Sequence, residues 1–91
     1  MEFEYDPHKS ETHKLKHGID FEEAEKLWND EWALQVPSVF SGEERFLIIG
    51  MIRDVGWTAI VTYRDGSIRI ISVRRWRENE KRAYDNSKRT G

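Results

Sequence analysis

The chain contains no cysteine, two prolines and six glycines in 91 residues. The absence of cysteine excludes a disulfide-stapled scaffold, a thiolate zinc site and a cysteine nucleophile. So little glycine and proline excludes collagen-like and low-complexity material. Apolar runs are short as well: the longest, Phe46 to Ile49, is far below a membrane span. Met1-Glu2-Phe3-Glu4 has nothing of a signal peptide, so a soluble, cytoplasmic protein with no membrane association is expected. Paired carboxylates, a Ser/His/Asp order, a Walker motif and a glycine-rich dinucleotide loop are missing too, so no cofactor is expected.

What is present is charge and enough apolar residues for one small core, so a single domain over residues 1–91 is expected. Residues 1–63 hold thirteen acids against six Lys and Arg, whereas residues 64–91 hold nine Lys and Arg against four acids. The net charge of −2 therefore hides a basic end that suits a polyanion and an acidic portion that suits a basic partner. Ordinary solvation of charged residues explains the same pattern without either.

Phe3-Glu4-Tyr5 alternates as a short strand. Asp6-Pro7 then reads as a cap followed by proline at the first helical position, starting a helix that runs to His17 and stops at Gly18. Leu15 is that helix's one large apolar residue and is expected to mark its buried side. A second helix, with Asp20 and Glu23 as a capping box, should end at Asn29-Asp30. Residues 31–42 read as strand edge or loop, with Pro37 and Ser41-Gly42 as punctuation. Strands follow over Arg45–Ile49, Thr58–Tyr63 and Ser67–Val73, joined by a looser link at Arg53–Gly56 and a tight Asp65-Gly66 hairpin. Arg77 to about Lys88 is helical in composition, and Arg89-Thr90-Gly91 reads as a frayed tail. The expected architecture is α+β: an antiparallel four-stranded sheet with helices packed on it, in the order β-α-α-β-β-β-α.

Two basic sets stand out. Lys9, His13, Lys16 and His17 share an arc of the first helix opposite Leu15, where lysines favour the neutral, proton-accepting form of a nearby histidine. His13 and His17 also have metal-sharing spacing, but no third ligand is evident, so no metal site is expected. The second set is Arg69, Arg74, Arg75, Arg77, Lys81, Arg82 and Lys88, where guanidinium groups could grip phosphate or pair with local carboxylates. Strict alternation puts Ile68, Ile70 and Ser72 on one strand face and Arg69, Ile71 and Val73 on the other. Trp57 and Trp76 are candidates for base stacking or for packing. Such groups suffice for RNA cleavage by its own 2′-hydroxyl, which needs a base, cationic charge at the phosphorane and an acid.

Three blocks resemble the BrnT toxins of type II toxin–antitoxin modules: Phe3-Glu4-Tyr5-Asp6-Pro7-x-Lys9 continuing to Lys16-His17-Gly18-Ile19-x-Phe21-Glu22-Glu23-Ala24; Gly42-Glu43-x-Arg45 through Ile48-Ile49-Gly50; and Arg69-Ile70-Ile71-Ser72-x-Arg74-Arg75 followed by Glu80 and Tyr84. Two positions depart from that pattern: His13 stands where asparagine is common, and Trp76 where a small residue is usual. The resemblance implies a RelE-like fold and ribonuclease activity that halts translation. It also implies neutralisation by a BrnA-type antitoxin in a heterotetramer, with operator DNA bound only through the antitoxin. On that resemblance Lys16, His17, Arg69, Arg74 and Tyr84 are the expected catalytic set. Lys9, Arg75, Trp76, Arg77 and Lys81 are expected to contact RNA, and Glu80 is expected either to orient Arg74 by ion pairing or to touch RNA. A non-catalytic module that holds a partner protein is the competing reading, and a single-stranded nucleic acid binder without cleavage is a third.

Overall fold

Local chemistry sets most element boundaries in the computed structural model, which describes residues 2–38 and 42–90. After β1 (Glu2–Glu4), the Asp6 side chain accepts from the His8 N–H and opens α1 (Pro7–His17). Gly18, at φ 79°, closes that helix, its N–H donating to the Lys14 carbonyl. Asp20 and Glu23 form the expected capping box of α2 (Phe21–Ala24), but the chain then tightens into a 3₁₀ segment, Glu25–Asn29. The strands β2 (Leu34–Ser38), β3 (Arg45–Ile52), β4 (Val55–Arg64) and β5 (Ser67–Arg75) precede α3 (Glu78–Thr90). The helix continues through Arg89 and Thr90, whose hydroxyl donates to the Asn86 and Ser87 carbonyls, so those two residues are not frayed. The features expected at Ser41 and Gly91 lie outside the described residues.

The sheet has five strands, not four, and is mixed, in the order β1-β5-β4-β3-β2. The added strand is β2, where Leu34 and Val36 alternate with exposed Gln35 and Pro37. Proline is tolerated there because β2 lies at the sheet edge, where a missing N–H need not break a ladder. β1 runs parallel to β5, Glu4 opposite Arg69. Hairpin signals fix the direction of successive strands only, and no turn links β1 to its neighbour.

The turns joining β3 to β4 and β4 to β5 are both tight. Asp65 and Gly66 take φ of 47° and 82°, as the sequence predicts. Arg53 and Asp54 do the same without glycine, at 49° and 66°, so Val55 and Gly56 belong to β4 and not to a loose link. Gly56 is required for a different reason. A methyl group on it would lie 1.8 Å from the Trp76 ring, whose backbone N–H donates to the Gly56 carbonyl. Gly56→Ala should cost about 1–3 kcal/mol of stability through overpacking. Chemical denaturation of a double-mutant cycle should show most of that cost gone in a Trp76→Ala background.

Residues directly opposite one another in an antiparallel pair share a face. Ile48, Ala59 and Val73 are in register on one side, as are Val61 and Ile70, and they are buried with Phe21, Ala24 and Leu27 from the helical segments. On the other side Ile49, Thr58 and Arg74 are in register, as are Leu47, Ile60 and Ser72. α3 covers the Thr58 end of that second face through Glu80, leaving Leu47, Ile60 and Ser72 only half-buried.

α1 is turned the opposite way from the expectation. Leu15 is 91% exposed, and Ser10 is the buried residue of the helix. Polar contacts, not an apolar stripe, dock it: the Ser10 hydroxyl accepts from the Phe21 N–H, and the His13 ring packs on Phe21. Leu15→Gln should therefore change the unfolding free energy, read by urea denaturation, by less than about 0.5 kcal/mol.

Candidate nucleic-acid interface

A register shift in β5 decides where its arginines point. Ile60 faces Ser72 but the next residue, Val61, faces Ile70, so Ile71 is an extra residue with no opposite number. Such a bulge breaks the two-residue alternation. Val73 consequently joins Ile68 and Ile70 in the core, and Ser72 leaves their face for the other side. Arg69, Ser72 and Arg74, opposite Thr62, Ile60 and Thr58, then share the face away from the core. Regular alternation would have separated Arg69 from Ser72 and Arg74.

α1 brings its basic arc to the same stretch. His13 lies mid-arc, half-buried, with its Nε2 3.1 Å from the Ser72 hydroxyl and its Nδ1 2.8 Å from the Lys9 carbonyl. The His17 ring lies next to it, tilted by 38° with centroids 5.5 Å apart. Lys9, Lys16 and His17 are exposed, and Lys14, Lys16 and His17 lie in the last helical turn, where cations complement the helix dipole. Among the described residues, no group of three His, Cys, Asp or Glu side chains is placed to hold a metal ion.

The two arginines on the shared face are held differently. Arg69 makes a loose contact with Glu4 at 3.6 Å, both side chains being more than a third exposed. Such a pair is worth under about 1 kcal/mol and yields readily to a competing anion. Arg74 makes a bidentate pair with Glu80, each N–O distance 2.8 Å, and donates a further bond to the Arg75 carbonyl. Three of its five N–H donors are thereby used, leaving two for an outside ligand.

Glu80 is nearly buried and also accepts from the Thr58 hydroxyl and the Arg77 N–H. It sits three residues into α3 and reaches back to the residue that caps the helix, so one carboxylate both caps α3 and fixes Arg74. Burial alone would raise its pKa. The bonds from Arg74, Arg77 and Thr58 outweigh burial and hold the carboxyl at about 2.

The other expected site residues divide between surface and core. Arg75 is exposed with its guanidinium over the Trp57 ring, and Trp57 itself belongs to the core cluster. Lys9, Arg77 and Lys81 are exposed, and Trp76 is half-buried between Gly56 and the Tyr84 ring. Tyr84 is buried and its hydroxyl donates to Asp30, 2.7 Å away; burial first, then this bond, pushes the phenol well above its ordinary pKa. Asp30 also accepts from the Met51 and Trp32 N–H groups. Burial alone would raise its pKa, but these three bonds outweigh it and hold the carboxyl low. Sequence reasoning passed over Ser72, Glu4 and the tie between Asp30 and Tyr84. The only trace of the last was an aspartate at a helix end, which is ordinary capping chemistry.

No helix among the described residues is long and apolar enough to cross a membrane. A search of curated proteins finds no significant match. The family model described as the ribonuclease toxin, BrnT, of type II toxin–antitoxin systems matches residues 5–80. That span takes in α1, the β5 bulge and the Arg74–Glu80 pair. The chain belongs to the BrnT family of type II toxin–antitoxin ribonuclease toxins.

Proposed function

We propose that the protein is an endoribonuclease that cuts RNA without a metal ion, and so inhibits translation. A BrnA-type antitoxin would neutralise it in a heterotetramer, with operator DNA engaged only through the antitoxin and the RNA-cleaving toxin acting in the cytoplasm. The observation that carries the reading is the shared face of Arg69, Ser72 and Arg74, met by the basic arc of α1. A phosphodiester gripped by two arginines, with an imidazole or ammonium group nearby, has what transesterification by the 2′-hydroxyl requires.

In this reading Arg69 and Arg74 hold the scissile phosphate, and Lys16 or His17 exchanges a proton with the reacting oxygens. Lys9, Arg75, Arg77 and Lys81 supply an electrostatic rim for the RNA backbone, and the half-buried Trp76 borders it. Tyr84 acts from beneath, packing against Trp76 and holding Asp30.

Regulated expression in cells should arrest growth, and co-expression of the antitoxin should relieve the arrest. The purified protein should cleave RNA in excess EDTA, leaving 2′,3′-cyclic phosphate ends. Soluble, folded protein that neither arrests growth nor cuts RNA but still binds the antitoxin would establish the competing reading, a non-catalytic binding module.

A further inference from the structure

A groove of about 400 Å³ opens beside the C-terminal half of α3, between that helix, the 3₁₀ segment and the β3–β4 turn. Lys26, Arg53 and Lys88 line it, one from each of those elements, and all three are exposed. Among the described residues none of the three makes an ion pair. Asp30, the one carboxylate among the described lining residues, is occupied by the Met51 and Trp32 N–H groups and the Tyr84 hydroxyl. Glu31 and Asp85 act on Tyr84 from outside the lining, both exposed to screening water. Three cations around one opening repel each other, and an anion between them relieves that repulsion. Arg53 stands there against backbone preference: it opens its turn at φ 49°, where asparagine or glycine is usual.

Aromatic surface is interleaved with this charge. Trp32 is half-buried in the lining, and the Lys88 Nζ lies 5.7 Å from the centre of the Tyr84 ring. Cations to follow a backbone, with aromatic faces for its bases, are what an open groove for single-stranded nucleic acid needs. An acidic peptide would satisfy the cations and give the Trp32 face no use. α3 also joins this groove to the arginine face. Glu80, which holds Arg74, is followed at intervals of four by Tyr84 and Lys88. Lys88 thus lies about 12 Å along the helix from Glu80. A single strand covers that in about three to four stacked nucleotides at ~3.4 Å each.

We infer that this groove is a second RNA subsite. Lys26, Arg53 and Lys88 hold backbone phosphates of the strand whose scissile phosphate lies at Arg69 and Arg74, and Trp32 stacks one of its bases. The inference deepens the ribonuclease reading above and rests on it for the position of the cut. It makes binding depend on length: a dinucleotide occupies the arginine face alone, whereas a longer strand fills both places.

The test measures equilibrium binding of a 2′-O-methyl dinucleotide and of a 2′-O-methyl RNA of about twelve nucleotides, long enough to span both places. Wild type is compared with the triple variant Lys26→Gln, Arg53→Asn, Lys88→Gln, in which asparagine suits the positive φ of its turn. The longer RNA should bind the variant about 10–100-fold more weakly near 0.1 M salt. Its plot of log affinity against log salt should flatten by about 0.7 for each phosphate contact removed. The dinucleotide should bind both proteins alike, and Lys26→Arg with Lys88→Arg should keep the wild-type affinity for the longer RNA. Unchanged binding of the longer RNA overturns the subsite, as does an equal loss for both RNAs. Unchanged RNA binding with weakened antitoxin binding overturns it in favour of an acidic protein segment. Wild-type protein that cuts no RNA removes the ribonuclease reading, a failure seen in cleavage and not in these affinities.

Discussion

Replacing Glu80 by alanine is expected to destabilise the fold by about 3–5 kcal/mol, the usual consequence of removing one member of a buried ion pair. The Arg74 side chain is only 20% exposed, so it would be left with an unpaired charge and little water to solvate it. The Thr58 hydroxyl and the Arg77 N–H lose their acceptor in the same step, and α3 loses its cap. Urea denaturation should show the loss as a lower midpoint with unchanged slope. The pair itself need not be strongly favourable against an apolar replacement. Arg74→Met with Glu80→Leu should therefore recover much of the stability while abolishing any phosphate contact by residue 74.

The same carboxylate gives the protein an acid limb. Its folded pKa of about 2 lies below the ordinary 4.5, so its stabilising contribution is complete above the ordinary value. That contribution, worth about 3 kcal/mol, is lost as the pH falls from about 4.5 towards 2. Glu80→Gln should flatten this part of the curve. Asp30 is depressed in the same direction by the bonds it accepts and should leave a residual slope in that variant.

The second large effect is on activity. Arg69→Ala should lower RNA cleavage by about 10²-fold, the scale on which losing one donor to a developing anionic charge is felt. Its stability should change little, because its 3.6 Å contact with Glu4 is half in solvent. The separation is the point of the variant: Arg74 is tied into the fold through Glu80, so its loss would mix stability with activity, whereas Arg69 contributes almost nothing to the fold. A melting curve and a cleavage assay on the same preparation would check both halves.

Much of the fold could be read from short-range chemistry. The Asp6-Pro7 start and Gly18 stop of α1, the capping box of α2 and the Asp65-Gly66 turn each depend on residues a few positions apart. Long-range features were harder to read. The parallel pairing of β1 with β5 leaves no mark in a turn, and β2 was obscured by Pro37. Leu15 misled because one apolar residue is a weak guide to a helix face when the docking contacts are polar, here Ser10 with Phe21 and His13 with Ser72.

The candidate site was legible as a list of residue types and not as an arrangement. The basic residues were visible, but which of them share a face depends on Ile71, which resembles its strand neighbours and carries no glycine or proline to announce a bulge. The Arg74–Glu80 pair was one of two roles open to Glu80, and because the two residues sit on different elements across the β5–α3 junction only the fold selects it.

The proposed cleavage of RNA requires Arg69, Ser72 and Arg74 to form one RNA-facing surface with α1. Nuclear magnetic resonance titration of isotopically labelled protein with a non-cleavable 2′-O-methyl RNA reads that surface directly. The largest shifts should fall on the β5 amides from Arg69 to Arg74, the guanidinium groups of Arg69 and Arg74, and the His13 and His17 imidazoles. Shifts confined to the outer side of α3, around Lys81 and Lys88, with β5 and α1 unmoved, would contradict it.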